Sequence, residues 1–283
     1  MGFFNLLEQQ IDSECAILSA LKMKTYLHSG NAGDVIYMLP TIRANGGGTL
    51  YLNPDRPAQY AAGLTHPGGG VMLNEAMCEM LKPLVDYCGI RCEIWQGQEV
   101  DYNLDLFREQ RINLSAYDIR RWILAVYPEL IPGPAFRMER LNDPYITVNL
   151  SERYRNNAAG GDAKWAMLQD QPYDVFFIGV QQEFEKFAKV CPKANHVNTD
   201  DFLQMAKVMA NGRMHFGNQS SPFAVAEIFD LPRVLELSPY CPNVVSTGEN
   251  WGVVYNNANM KWHVDRLARM EQNEENPIII NPS

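Results

Sequence analysis

The stretch that most constrains the fold is residues 211–236, which read NGRMHFGNQSSPFAVAEIFDLPRVLE. The pattern predicts a strand over 213–216, a helix that begins within 219–222 and a second strand from Val234. A serine followed by a proline is typical of a helix start. The order strand, turn, helix, strand is typical of a parallel sheet, which binds ligands at the carboxyl ends of its strands. The helix start offers N–H groups to a phosphate, and a capping serine in an ordinary connection is the alternative.

Strands and helices alternate on both sides of a segment rich in proline and glycine at 130–144. Such composition is typical of a linker, so we place a domain boundary there. The first half predicts strands at 23–28, 50–52 and 92–95, and helices at 1–22, 35–39, 73–87 and within 102–127. The second half predicts strands at 145–150, 175–179 and 195–198, helices at 182–190, 200–210 and 259–270, and a loop-rich part at 241–252. We therefore expect an α/β protein.

The composition excludes several classes of protein. With 283 residues, 46% of them hydrophobic and 20% charged, the chain is typical of a globular protein. A net charge of −9, with no basic half, gives no general footprint for nucleic acid or an anionic membrane. Acidic residues interrupt the apolar N-terminal stretch, and no apolar run reaches the ~20 residues of a membrane span, so we expect a cytoplasmic protein without an integral membrane segment. Six scattered cysteines match no zinc pattern, which predicts reduced thiols.

A second notable loop, SGNAGD at 29–34, joins a predicted strand to a predicted helix. Gly30 and Gly33 permit a tight turn and a close approach of a ligand to the backbone. The G-x-G-x-x-G spacing is missing, so the loop does not predict a dinucleotide site. Asp34 stands where a carboxylate caps a helix start, and the helix dipole favours its ionised form.

The turn at 217–222 resembles the signature of heptosyltransferase-like glycosyltransferases, the glycosyltransferase family 9 type. In that family a strand ends in Gly-Asn-Asp-Ser/Thr-Gly-Pro, and a helix follows. The residues that match this run are Gly217, Asn218, Ser220 and Pro222. Gln219 stands in place of the acidic residue, Ser221 stands in place of the glycine, and the usual histidine further along is missing.

The loop at 29–34 is similar to the first loop of the same family, which carries Gly-Asp before an apolar helix and a proline. The resemblance implies a GT-B fold, in which two Rossmann-like domains face each other across a cleft. Residues 1–143 would form the N-terminal domain on the acceptor side, and residues 144–255 would bind the nucleotide sugar. The resemblance further implies that a C-terminal helix and tail, 256–283, pack back on the N-terminal domain.

The resemblance also implies roles for individual residues. Asp34 matches the aspartate proposed in the family as the general base for the acceptor hydroxyl, with helix capping as its alternative role. The acceptor-side loop would consist of Gly30, Asn31 and Gly33. The phosphates of the sugar donor would lie at the second turn, which supplies Asn218, Gln219, Ser220 and Ser221.

A loop with two arginines follows the first predicted strand of the second half. Arg153 and Arg155 could neutralise a diphosphate, because guanidinium groups match phosphate oxygens. The corresponding loop of the family contacts the sugar donor, and the alternative is an exposed loop paired with the local acids Glu152 and Asp162. Glu183 stands where a carboxylate could hold hydroxyls of a ribose or sugar, although a glutamate in the first turn of a helix is also common.

The function that the resemblance implies is an inverting glycosyltransferase. It would move a sugar from a nucleotide-diphosphate sugar to a hydroxyl of a glycan or a lipid-linked glycan. No Asp-x-Asp pair stands in a predicted strand-end loop, so we expect no metal and no cofactor besides the nucleotide sugar as co-substrate. Three alternatives stay open: a phage-type enzyme that glycosylates a hydroxylated base in DNA, a sugar-nucleotide epimerase, and a catalytically idle nucleotide-sugar-binding protein.

Overall fold

The computed structural model describes residues 23–58, 69–109, 118–156, 161–238, 243–248 and 250–275. Its strands form two parallel sheets, and helices pack against both, which confirms the predicted α/β class. The chain passes from one sheet to the other through residues 130–144, which contain no helix and no named strand. The helix predicted at 1–22 and the tail from residue 276 lie outside the described residues.

The first sheet has the order β3-β2-β1-β4, with every pair parallel. Its elements are β1 (Thr25–His28), α1 (Ala32–Ala44), β2 (Thr49–Leu52), α2 (Glu75–Tyr87), β3 (Arg91–Ile94) and β4 (Tyr102–Asn103). The chain adds β2 and β3 on one side of β1 and then returns to add β4 on the other side. The strand order therefore reverses at the carboxyl end of β1, and such a switch point is where α/β sheets bind ligands.

The helix predicted within 102–127 is wrong for the described residues. Tyr102 and Asn103 instead pair with β1 as the edge strand β4. Two short three-ten turns follow, at Leu106–Arg108 and Ile123–Ala125. Packing against the sheet here overrides the helical spacing of the sequence, as tertiary context routinely does with local propensity.

The second sheet has the order β10-β9-β8-β5-β6-β7, again parallel throughout. Its elements are β5 (Tyr145–Asn149), β6 (Asp174–Phe177), α3 (Gln181–Phe187), β7 (Asn195–His196), α4 (Phe202–Asn211), β8 (His215–Asn218), α5 (Ser221–Ile228), β9 (Arg233–Glu236), β10 (Trp251–Val254) and α6 (Asn257–Glu275). The strand order reverses between β5 and β8, so the loops after these two strands meet at a second switch point. The sequence does not predict β10, which lies at the end of the part expected to be loop.

One of the two hydrophobic clusters joins the two domains. It includes the buried side chains of Ile36 in α1, Leu81 in α2, Phe202 in α4 and Val225 in α5. Within it α1 packs along α5, and α2 packs against α4. This contact brings the amino-terminal ends of α1 and α5, and with them the two switch points, to the same place.

The last helix packs on the second domain. Its buried residues Met260, Val264 and Leu267 belong to the same hydrophobic cluster as Trp165 and Val254. The expectation that this helix packs back on the N-terminal domain is therefore wrong for the residues up to 269, beyond which side chains are not described.

Candidate active site

The start of α1 carries the predicted acceptor-side loop at the carboxyl end of β1. Asn31 is the N-cap residue of α1, and the backbone N–H of Asn31 donates to Oδ2 of Asp34 at 3.2 Å. Asp34 thus has the helix-capping role considered as its alternative, as the third-position partner of a capping box. Its side chain is 16% exposed and lines a cavity, so capping does not remove the carboxylate from solvent.

Arg108 is a site residue that the sequence does not single out. Its Nη2 donates to Oδ2 of Asp34, and its Nε donates to Oδ1 of the buried Asp105 at 3.2 Å. Burial lowers the pKa of the Arg108 guanidinium, but the two carboxylates more than compensate, and the net pKa is raised. Gly30 lies directly on this group, because a Cβ at Gly30 would be 2.8 Å from Arg108, Asp34 and His28.

The start of α5 faces the start of α1 across the domain interface. Ser220 is the N-cap of α5, and its Oγ lies within hydrogen-bond distance of Oδ1 of Asn149 and of the carbonyl of Asn218. A Cβ at Gly33 would lie 3.6 Å from the backbone of Ser221, so the two helix starts are in contact through a glycine. Two positive dipole ends therefore meet at one place, which favours an anion there.

Asn218 holds two strand-end loops together rather than facing a cavity. Its Nδ2 donates to the carbonyl of Ser151 at 2.6 Å, and its Oδ1 accepts the backbone N–H of Ser151 at 2.9 Å. The side chain is completely buried. The geometry thus gives Asn218, predicted to contact the phosphates, a role in placing the loop that carries Arg153.

The two predicted arginines of this loop are placed differently. Arg153 lines the cavities described below, and its guanidinium lies 5.1 Å from the ring centre of Tyr154. Arg155 points behind the loop, where its Nε donates to Oε2 of the buried Glu236 at 3.0 Å and its Nη2 pairs with Asp162. Lys164, also buried, lies 2.8 Å from the other oxygen of Glu236. The predicted contact of Arg155 with the sugar donor therefore does not fit this geometry.

Two adjoining cavities occupy the interface between the domains. The loop cavity, of about 80 Å³, is lined by Asp34, Gln219 and other residues of the two helix starts. The strand-end cavity, of about 350 Å³, lies over the carboxyl ends of β5, β6, β7 and β8. The residues that line both cavities are Met77, Arg153, Ser220 and Ser221. The predicted residues Asn31 and Gly33 line the loop cavity alone.

Two further predicted residues face these cavities. Glu183 lines the strand-end cavity, and its Oε1 accepts the backbone N–H of Glu152 at 3.3 Å. Burial raises the pKa of Glu183, and hydrogen bonds to the carboxylate lower it only in part, so the net pKa is raised. Gln219 lines the loop cavity, and its Nε2 donates to Oδ1 of Asn243 at 2.8 Å. Its Oε1 is buried and has no hydrogen-bond partner in the described part of the chain.

Across the described ranges, no group of three or more His, Cys, Asp or Glu side chains is placed to hold a metal ion. None of the helices in the described segments combines the length and the apolar character needed to cross a membrane.

Comparison with known proteins identifies the fold. No protein-family model and no curated protein sequence matches the chain. Among solved structures, the chain is similar to a family 9 glycosyl transferase from Veillonella parvula, with a TM-score of 0.57 and 13% identity over 90% of this chain and 99% of that one.

Two solved heptosyltransferases are also similar. The iron-containing dodecameric heptosyltransferase TibC, from enterotoxigenic Escherichia coli, matches with a TM-score of 0.53 and 12% identity over 91% of this chain and 81% of that one. The E. coli ADP-heptose lipopolysaccharide heptosyltransferase II matches with a TM-score of 0.51 and 12% identity over 89% of this chain and all of the other. The protein therefore has the GT-B fold of family 9 glycosyltransferases.

Proposed function

We propose that the protein is a glycosyltransferase that moves a sugar from a nucleotide-diphosphate sugar to an acceptor hydroxyl. One observation carries the proposal: Asp34, Arg153 and the start of α5 line a single cavity where the switch points of two Rossmann-like domains face each other. A carboxylate can accept a proton, and a guanidinium and a helix start can bind an anion, so the lining of this cavity supports the proposal. Transfer from a diphosphate to a hydroxyl needs both groups.

The sugar donor would span the two cavities. Its nucleoside would lie in the strand-end cavity, and its diphosphate would lie where Arg153, Ser220 and Ser221 line both cavities. Backbone N–H groups at a helix start and a guanidinium are the groups that bind phosphates most often. Glu183 would accept hydrogen bonds from hydroxyls of the ribose or sugar.

The reaction would proceed by direct displacement at the anomeric carbon. The acceptor oxygen forms the new glycosidic bond while the bond to the diphosphate breaks, and the configuration inverts. Asp34 takes the proton of the acceptor hydroxyl, and the nucleoside diphosphate leaves with the electron pair. Arg153 and the two helix starts stabilise the charge that grows on the leaving group, the role that preorganised dipoles and cations fill in many enzymes without a metal ion.

The similar structures suggest where to begin with the sugar donor. TibC was solved in complex with ADP-D-β-D-heptose, and the E. coli heptosyltransferase II is described as an ADP-heptose enzyme. ADP-sugars are therefore the first donors to test with this protein, and UDP-, GDP-, CMP- and dTDP-sugars follow. The acceptor would be a glycan or a lipid-linked glycan.

Donor binding and catalysis are tested separately. Thermal-shift and calorimetric titrations with the nucleotide sugars, with and without magnesium, identify the donor because a ligand that binds only the folded state raises the melting temperature. Donor hydrolysis and transfer are then measured for wild type, Asp34→Asn and a matched control, Asp86→Asn. Asp86 is an exposed aspartate in a surface pair with Lys82.

We expect Asp34→Asn to bind the donor as wild type does and to lose about 10²–10⁴-fold in transfer, the usual contribution of a general base. Asp86→Asn should match wild type in both. If no nucleotide sugar binds, or if Asp34→Asn transfers as fast as wild type, the proposal is refuted.

An idle nucleotide-sugar-binding protein is the second candidate. The ion pair between Arg108 and Asp34 favours it, because the guanidinium occupies one oxygen of the carboxylate that would otherwise meet an acceptor hydroxyl. Donor binding without hydrolysis or transfer, over a panel of acceptors, would select this reading.

A further inference from the structure

We propose that Arg108 is the positioning residue for Asp34, and that Asp105 in turn holds Arg108. The three side chains form a chain of ion pairs, called the relay below, that ends at the loop cavity. The inference rests on the function proposed above, in which Asp34 takes the acceptor proton. It adds two residues that no loop motif of the sequence includes.

The first link of the relay joins Arg108 to both carboxylates. Nη2 of Arg108 donates to Oδ2 of Asp34, and Nε donates to Oδ1 of Asp105 at 3.2 Å. A guanidinium is planar and presents its N–H groups in fixed directions. Its contact with Asp105 therefore fixes the plane of the group that meets Asp34. Arg108 is 20% exposed, so solvent screens this contact only in part.

The second link is the anchoring of Asp105, whose side chain is 1% exposed. Its Oδ2 accepts both the backbone N–H of Ser29 and, at 2.6 Å, the hydroxyl of Ser29. That hydroxyl also accepts from Nη1 of Arg56 at 3.0 Å. Burial raises the pKa of Asp105, but the His28 ring, the Ser29 donors and Arg108 outweigh burial, and the net pKa lies below its ordinary value. Asp105 is thus a fixed anion at the base of the relay.

The relay has a consequence for which oxygen reacts. In the described part of the structure, the contacts of Asp34 with Arg108 and with the Asn31 backbone both fall on Oδ2. Oδ1 is then the oxygen that accepts the proton of the acceptor hydroxyl. Gly30 lies against the pair so closely that a Cβ would be 2.8 Å from each member, which leaves the carboxylate little room to rotate.

Charged and titratable groups surround Asp34. Arg108 contacts it directly, Asp105 contacts Arg108, Arg56 lies 3.8 Å from Asp105, and Arg153 lines the same loop cavity as Asp34. Burial lowers the pKa of His28, whose Nδ1 accepts the backbone N–H of Gly30 at 3.0 Å and lies 3.4 Å from Oδ1 of Asp105. Burial raises the pKa of the Tyr37 phenol. Arg108 is therefore the cation in direct contact with the Asp34 carboxylate.

The first test measures kcat and the donor KM of transfer in Arg108→Gln and Arg108→Lys. Arg91→Gln is the matched control, since Arg91 is an exposed arginine that pairs with Glu93. In Arg108→Gln we expect kcat to fall at least about 30-fold while the donor KM stays within about threefold. Arg108→Lys keeps the charge and should recover part of the lost kcat at the same donor KM.

A merely structural role for Arg108 would give another result. Arg108→Gln would then lower the amount of folded protein, the kcat of each folded molecule would equal that of wild type, and Arg108→Lys would recover nothing. That outcome overturns the inference.

The second test needs no activity. In the ¹⁵N spectrum of arginine Nε–H groups, the Arg108 signal is assigned by its loss in Arg108→Lys. We expect this signal to exchange slowly with water in wild type, to exchange faster in Asp105→Asn, and to shift in Asp34→Asn. A signal unchanged in both variants overturns the relay. Wild type that transfers no sugar, with the NMR result as expected, refutes the proposed function and leaves the relay supported.

Discussion

Arg153 and Arg155 lie two positions apart in one loop, but the structure gives them different contacts. Substituting each by alanine should therefore change a different property of the protein. Arg153 lines both cavities, where the diphosphate is proposed to bind. Arg155 is 9% exposed and pairs with Glu236, which is completely buried, and with Asp162. Arg153→Ala should therefore lower the affinity for the sugar donor, whereas Arg155→Ala should lower the stability of the fold.

The magnitudes follow from the contacts. A hydrogen bond to a charged group contributes about 1.5–3 kcal/mol, so Arg153→Ala should raise the Kd of the donor roughly tenfold to a hundredfold. Removing one partner of a buried ion pair costs about 3–5 kcal/mol. Lys164 remains 2.8 Å from Glu236 in Arg155→Ala, so we expect about 2–3 kcal/mol, or a fall in Tm of roughly 5–10 °C.

Calorimetric titration of the donor and thermal unfolding without ligand separate the two effects. Both variants are measured at a temperature where each is fully folded, so that lost stability does not appear as lost affinity. The reasoning is refuted if Arg155→Ala loses as much donor affinity as Arg153→Ala while its Tm stays at the wild-type value. Equal loss of donor affinity in both variants would return Arg155 to the phosphate-binding role that the sequence predicts.

Three further predictions concern single residues. Glu227→Ala should destabilise the fold by about 2–3 kcal/mol in urea unfolding, because it removes the carboxylate 2.6 Å from the fully buried guanidinium of Arg233, while Asp230 remains at 2.9 Å; an effect below about 1 kcal/mol would contradict this. Burial lowers the pKa of His215 to about 3, so below pH 6.5 the unfolded chain binds a proton that the folded chain does not. As the pH is lowered from 6.5 to 3, the free energy of unfolding should thus fall by roughly 1.4 kcal/mol for each pH unit. His215→Gln should reduce this dependence on pH, and an equal dependence in the variant and wild type would rule His215 out as the cause. Gly30→Ala should lower the transfer rate by about 10²-fold with donor affinity kept, because the new Cβ displaces Asp34 or Arg108, and an unchanged rate would show that the pair tolerates displacement.

The sequence predicts the fold well where local signals and sheet topology agree. The unit at 211–236 appears as β8, α5 and β9, with boundaries moved by one or two residues. The proline-rich passage at 130–144 also lies between the two sheets as expected, whereas α1 begins at 32 rather than 35, because Asn31 is its N-cap. These features depend on glycine, proline and capping residues, whose effect is confined to their own turn. A local signal of this kind survives any tertiary arrangement.

Failures of prediction fall where distant parts of the chain decide the structure. The helical spacing within 102–127 gives way to an edge strand because β1 offers an unpaired edge to Tyr102 and Asn103. The last helix packs on the second domain because its apolar residues complete the cluster around Trp165. Strand β1 is distant in sequence from β4, and Trp165 is distant from the last helix. A local sequence pattern therefore does not show which of two possible structures these contacts favour.

The candidate site shows the same division at the level of single side chains. Gly33, Asp34 and Ser220 are predicted because each one serves a helix start, and helix starts leave a mark in sequence. Arg108 reaches Asp34 from 74 positions away, out of a segment whose pattern predicts another structure. Asn218 is singled out by the sequence, but its partners are the backbone N–H and carbonyl of Ser151. Every residue type except proline carries these two groups, so the sequence does not identify the partner. A sequence motif therefore identifies the residues that build the cavity, whereas the residues that orient them become visible only when the two sheets have brought their loops together.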